Sequence, residues 1–438
     1  MTTLSSSEQS EKLKSFLQQQ YQNCADDALQ KIRAKAWDHF LELGLPDKKN
    51  EVFKYIRLRQ LYSQEYVDSS PTTISRDKIQ PYIYPECKNS VLVFVNGYYQ
   101  PELSNTSALS KKIVITTLQD AMRTYGSFIN NHWAKSLKEE TDALAALNSA
   151  LNRDGVFVYL PPKYVAEAPI QILQVIDTQD KPMFLLPRVN VFAGTQSQAE
   201  FVASLAYLSG KGYAINQVAD FAVEEGAQVK LIQVNCNEAL DIWHFDAVRA
   251  LLKRDSLFQA IHTTHGSSTI RHDYRVALAG ENGEACLNGV WMLSGNREAH
   301  THVLIDHQAP HCRSNQLFKG ALNDSSRSSF EGKIYVRQAA QKTDAFQLNN
   351  NLILSDSAHA DSKPNLEIFA DDVKASHGAT VGQLDDEQLF YMNSRGFSTD
   401  AAKNMLVYSF CKEVIDLIPI PSVQQQVTKR AKIYLTKE

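Results

Sequence analysis

No two of the six cysteines, Cys24, Cys87, Cys236, Cys286, Cys312 and Cys411, lie within four residues of each other. That spacing excludes a local Cys-x-x-Cys zinc or redox motif. Scattered cysteines in a long chain read as reduced thiols packed as small hydrophobes. A basic excess is missing too: 45 Lys and Arg against 49 Asp and Glu leave a formal net charge of -4, which gives no field for nucleic acid. Long apolar runs are absent, and Val91–Val95 is about a quarter of a membrane span. The Met1–Lys12 stretch is polar and Ser-rich, without the apolar centre of a secretory signal. The expectation is a soluble, cytoplasmic protein. No Gly-x-x-x-x-Gly-Lys-Ser/Thr loop cradles a phosphate, no Gly-x-Gly-x-x-Gly follows a strand, and no Gly-x-Ser-x-Gly elbow presents a nucleophile.

What is present divides into three regions. Residues 1–150 read as mostly helical, with one small hairpin. Glu8–Leu43 holds no Gly or Pro before Pro46 stops it, and a second helical stretch runs from about Leu118 to Leu151. Between them, Asn96-Gly97 flanked by Val91–Val95 and Tyr98-Tyr99 predicts a tight hairpin, because both turn residues tolerate positive φ. Residues 151–384 change character. Short strand-like runs such as Val156–Leu160, Ile170–Val175, Ala227–Val234 and Glu284–Met292 alternate with small polar corners. Gly226, Gly283 and Gly378 each open a similar corner. No helix interrupts this stretch, so a βαβ sheet is excluded, while a β-solenoid and a β-sandwich both remain. Residues 385–438 read as helical again. Asp386–Arg395 ends at Gly396, and Ser398 caps a helix from Thr399 to about Ile418 before Pro419. The apolar arc of that helix covers roughly two-thirds of its circumference, wider than one packing surface needs. Burial in the core is one reading, and contact with a partner through Met405, Phe410 and Ile415 is the other.

Eight of the twelve histidines fall between His244 and His311. In a strand, His300 and His302 share a face, and with His307 they allow a metal-dependent oxidoreductase reading. Their spacing fits a cupin metal site only loosely. A stand-alone carbohydrate-active β-helix would need carboxylates converging on one face, whereas Asp371 and Asp372 are adjacent and point apart in a strand.

The run from Lys363 to Gly396, KPNLEIFADDVKASHGATVGQLDDEQLFYMNSRG, closely resembles the signature of the SufB/SufD family of iron–sulfur cluster assembly proteins. His307–Gly320, Leu92–Leu103, Gly155–Pro161 and Asn50–Tyr55 are similar to other family segments. Two features resemble the SufD branch. Asn349 stands where SufB-like chains carry a cluster-binding Cys, and Gly378 follows His377 where they carry an acid. The resemblance implies a right-handed parallel β-helix core with helical N- and C-terminal regions, and a non-catalytic scaffold role. It implies a SufB-like partner paired through the β-helix and a SufC-like ATPase docked on the C-terminal helices near Met405, Phe410 and Ile415. It suggests that the chain pairs with itself when alone, and that reduced flavin binds the complex. His377 becomes the candidate ligand for iron or a transient iron–sulfur cluster shared with the partner. The family often has Cys two residues earlier, where this chain has Ala375. The Ser376-His-Gly-Ala379 stretch is expected to form a corner that presents the imidazole outward.

Overall fold

The computed structural model describes residues 6–153, 155–178, 181–210, 212–236 and 242–436. Met1–Ser5, at the start of the polar N-terminal stretch, and the last two residues of the C-terminal region, Lys437 and Glu438, lie outside the described residues.

Helices α1 (Ser6–Gln22) and α2 (Gln30–Leu43) lead into the hairpin of β1 (Val91–Val95) and β2 (Tyr98–Tyr99). Asn96 and Gly97 form its turn at φ +49° and +87°, as two residues joining antiparallel strands require. Strand β3 (Val114–Thr117) then precedes α3 (Leu118–Glu139) and α4 (Ala143–Leu151). The second helical stretch is therefore two helices, each with its own cap: Thr117 accepts from the Asp120 N–H, and Asp142 from the Leu144 N–H.

From Val156 the chain winds as a parallel β-helix, each coil giving one strand to each of two sheets. The coils pair β4 (Val156–Leu160) with β5 (Ile170–Asp177), β6 (Arg188–Ala193) with β7 (Gln198–Ser209), and β8 (Tyr213–Val223) with β9 (Gln228–Asn235). They continue with β10 (Ile242–Leu252) and β11 (Leu257–Thr264), then β12 (Thr269–Leu278) and β13 (Glu284–Leu293). The last three are β14 (Glu298–His307) with β15 (Arg313–Leu322), β16 (Arg327–Val336) with β17 (Asp344–Ile353), and β18 (His359–Ile368) with β19 (Lys374–Gly382). From β4 onward, even-numbered strands form one sheet, which β3 extends. Odd-numbered strands form the other, which β1 and β2 extend. The N-terminal region thus contributes strands to the solenoid as well as helices.

The interior is a set of stacked columns, because in-register parallel strands place like-facing side chains one above another. One column runs Val191, Phe221, Ala250, Val276, Ile305, Ile334 and Leu366. The corners stack as well. Gln196, Gly226, Asp255, Asn282, His311 and Lys342 all sit at φ between +55° and +68°. The N–H of each donates to a carbonyl of the following coil. This column is mostly Asp, Asn, His and Lys, which explains why glycine alone is a poor guide to it. Gly378, read as a third corner, instead lies inside β19 opposite Leu348. The corner before β19 is made around Asp372, whose carbonyl accepts from the Lys342 N–H.

Helices cover both outer faces. Trp37, Phe40, Leu144 and Leu147 pack on Phe184, Ala214, Trp243 and Phe245, all four on the even sheet. On the odd sheet, α6 (Thr399–Ile415) and α7 (Pro421–Thr436) bury Val407, Cys411, Val414, Val423 and Val427 against Ile232, Val290, Met292 and Ala321. Ser398 caps α6 as expected, accepting from the Ala401 N–H at 3.3 Å. The preceding helix, α5 (Asp386–Ser394), ends in a left-handed Gly396 at φ +91°. Among the described residues, no helix is long and apolar enough to cross a membrane.

Candidate functional site

The solenoid ends abruptly. Strands β18 and β19 are the terminal members of their sheets, so each keeps one side of its backbone without a strand partner among the described residues. Every residue of both strands is exposed or half-exposed. The apolar side chains of Ile368, Phe369 and Val381 are left in solvent. Long flat edges of this kind template pairing with another chain.

His377 lies on this last coil. It is in the middle of β19, in register with Gln347, and not at a corner as its flanking glycine had implied. Ala375, two residues away on the same face, packs with Ile334, Val336 and Ala345, so this face looks into the lumen. His377 is nonetheless exposed, because no further coil closes the lumen above it. The imidazole therefore stands at the open mouth of the β-helix.

Beneath that mouth the lumen turns polar. Gln316 and Gln347 are fully buried in the column that His377 completes. In the neighbouring column Asn349, also fully buried, accepts hydrogen bonds from Asn351 Nδ2 at 2.9 Å and Ser362 Oγ at 2.7 Å and donates to the Phe318 carbonyl. Asn349 is thus a hydrogen-bonding hub. Sequence reading passed over Gln316, Gln347 and Asn351. Their one signal is spacing, since Gln316, Gln347 and His377 recur at one coil's length.

The three C-terminal candidates separate by burial. Met405 is 46% exposed, Phe410 is half-buried, and Ile415 is fully buried against the solenoid. The Phe410 ring lies 4.4 Å from Lys319 Nζ, which also pairs with Glu413, so one lysine on β15 fastens two residues of α6. Phe390, 75% exposed, leaves a large apolar side chain in water on α5, as do Tyr391 and, just after that helix, Phe397. The wide apolar arc is thus only partly used: one side holds α6 to the sheet, while Met405 stays exposed, as do the aromatics around α5.

The His300–His307 cluster disperses. His300 and His302 do share the outer face of β14. His300 bonds Ser329 Oγ at 2.7 Å and Glu298 Oε2 at 3.3 Å, and His302 bonds Asp273 Oδ1 at 2.5 Å. His307 faces the lumen, held by Ser314 Oγ at 2.9 Å, and burial pushes its imidazole down to about 4. No three His, Cys, Asp or Glu among the described residues are arranged to hold a metal ion. The carboxylates gathered on the outer face of the even sheet are engaged by arginines. Glu140, Asp142 and Asp273 meet Arg249, Arg271 and Arg275 beneath the turn that joins α3 to α4. Burial would raise the Asp273 carboxyl, but the three guanidiniums and His302 hold it well below the usual carboxylate range. This cluster fastens the N-terminal helices to the solenoid.

Known proteins resemble this chain in sequence. The family description "SUF system FeS cluster assembly, SufBD core domain" matches residues 175–410, and "SufBD protein N-terminal region" matches residues 5–172. An iron–sulfur cluster assembly SufBD family protein of Synechocystis is 30% identical over 407 residues, covering 91% of this chain and 89% of its own length. The iron–sulfur cluster assembly protein SufD of Escherichia coli is 30% identical over 407 residues, covering 89% of each chain. The protein of the same name in Bacillus subtilis is 26% identical over 373 residues, covering 84% of this chain and 85% of its own. The β-helix, its flanking helices and these matches make the chain a member of the SufBD family of the SUF iron–sulfur cluster assembly system.

Proposed function

We propose that this chain is the SufD-type, non-catalytic scaffold subunit of a SUF complex, and that its open β-helix end is where it meets a SufB-like partner and shares iron or a nascent cluster. The carrying observation is the uncovered last coil with His377 at its mouth. Edge strands supply backbone donors and acceptors for a second solenoid, and imidazole is a competent iron ligand that a thiolate or carboxylate from the partner would complete. Ala375 offers no ligating atom, so His377 carries this role alone on its strand. The exposed apolar side chains of Met405, Phe390, Tyr391 and Phe397 form the docking face for a SufC-like ATPase, while Ile415 and Phe410 keep the helices seated.

The test uses this chain co-expressed with SufB-like and SufC-like subunits. His377→Ala should co-purify with both but form fewer clusters, read by visible absorbance after reconstitution. His311→Asn is the control, an exposed histidine at a left-handed corner away from the last coil, and should behave as wild type. Wild-type cluster formation by His377→Ala would overturn the ligand role.

A further inference from the structure

Gln347 is the residue directly below His377. The two are in-register neighbours on β17 and β19 and face the lumen from the same column. Gln347 is fully buried, and its Nε2 donates to Gln316 Oε1, one coil further in, at 2.9 Å. In this pairing the Gln347 oxygen is the atom left over, as Gln316 Nε2 is on the coil below. That oxygen is buried and has no hydrogen-bond partner. A buried carbonyl oxygen without a donor is costly, on the order of 1–3 kcal/mol, and calls for a donor nearby.

The opposite wall makes room for this amide. Gly332 faces the lumen from β16, and a Cβ there would lie 2.1 Å from Gln347 Nε2. The lumen is therefore shaped around the Gln347 side chain, and the amide cannot swing freely toward the even sheet.

We propose that Gln347 is a positioning residue for His377: its side-chain oxygen accepts the ring N–H that faces the lumen, which fixes the neutral tautomer and turns the other ring nitrogen outward as the ligand. This rests on the reading of His377 as an iron or cluster ligand. The physical reason is general, since a ligating imidazole is oriented and made more basic by an acceptor on its second nitrogen. Here the acceptor is itself held by Gln316, so the orientation is passed from one coil of the lumen to the next.

Two measurements test it. In the full-length chain labelled at histidine, long-range nitrogen–proton spectra report the His377 tautomer, with the signal assigned by its loss in His377→Ala. Wild type should show one neutral tautomer, and Gln347→Glu, which keeps an acceptor, should keep it. Gln347→Leu should show a mixture. In the complex with SufB-like and SufC-like subunits, Gln347→Leu should assemble normally but lower cluster formation on the order of 10-fold, with Gln347→Glu restoring most of it. If Gln347→Leu does not fold, Gln347→Met and Gly332→Ala perturb the same amide and should give the same mixture. An unchanged tautomer in these variants overturns the positioning role. Unchanged cluster formation in Gln347→Leu beside a loss in His377→Ala overturns it too, while leaving the ligand role standing. Unchanged cluster formation in His377→Ala instead removes the ligand role itself, and the spectra still decide whether Gln347 sets the tautomer.

Discussion

Replacing Asp273 by Asn should detach the N-terminal helices from the solenoid. Asp273 is fully buried and accepts from Arg249 at 2.6 Å, Arg271 at 3.1 Å and His302 at 2.5 Å. Glu140 meets Arg249 at 2.7 Å and Arg275 at 3.0 Å, and Asp142 completes the set against Arg271. Three guanidiniums thus face three carboxylates with almost no water. The substitution keeps the shape of the side chain but leaves one buried cation without its counter-charge. Breaking a buried pair from one side costs about 3–5 kcal/mol. That is a large part of the roughly 5–15 kcal/mol that keeps a typical domain folded. The loss should appear in urea unfolding, and trypsin should cut near Lys135 and Lys138 much faster than in wild type. Removing Arg271 at the same time, as Arg271→Met, restores the balance of charge, so the double variant should lose less than the sum of the two singles. A loss under about 1 kcal/mol for Asp273→Asn, with unchanged proteolysis, would refute the clasp.

The buried imidazoles predict acid sensitivity. Burial holds His244 and His307 at about 4, well below the ordinary value near 6.5, so the unfolded chain takes up these protons first as pH falls. Their contribution is complete above pH 6.5 and is lost between 6.5 and 4, at about 2 kcal/mol each by pH 5. Urea unfolding at pH 7.5 and 5.0 should show it, and His307→Gln should shrink the difference between the two. Met405→Asp combined with Phe390→Ala should weaken binding of the SufC-like ATPase at least about tenfold with no change in melting temperature. Ile415→Ala should instead destabilise the chain by about 2–5 kcal/mol, read by denaturant unfolding. The pure chain should hydrolyse no ATP, and turnover that survives removal of contaminants would contradict the scaffold role.

Much of the architecture was legible because local chemistry and global fold agree. Asn96-Gly97, the Ser398 cap, Gly396 and the lack of crossover helices each pointed to what the structure shows. The pattern of residues could not separate a solenoid from a sandwich, and the reason lies in the lumen. Strands β11, β12, β14 and β15 carry a weak apolar signal, because His262, His272, Thr301 and Gln316 point inward where apolar residues would mark a strand, while Arg271, Asp273 and His302 point outward. Once those strands are placed, the even-sheet strands from β8 to β16 begin at Tyr213, Ile242, Thr269, Glu298 and Arg327, a nearly constant coil length that the apolar runs alone had hidden. The family segment located His377. Its environment needed the register, since only the alignment of β17 with β19 shows that it crowns a polar column and does not turn a corner.

The central claim is that this chain works as one subunit of a larger assembly joined through its last coil. It is tested most directly by co-expressing it with SufB-like and SufC-like subunits and weighing the purified product by native mass spectrometry. The account predicts a complex containing all three proteins, lost when β18 and β19 are deleted and the remaining coils stay folded. A chain that stays apart from both partners, or that assembles equally well without its last coil, would contradict it.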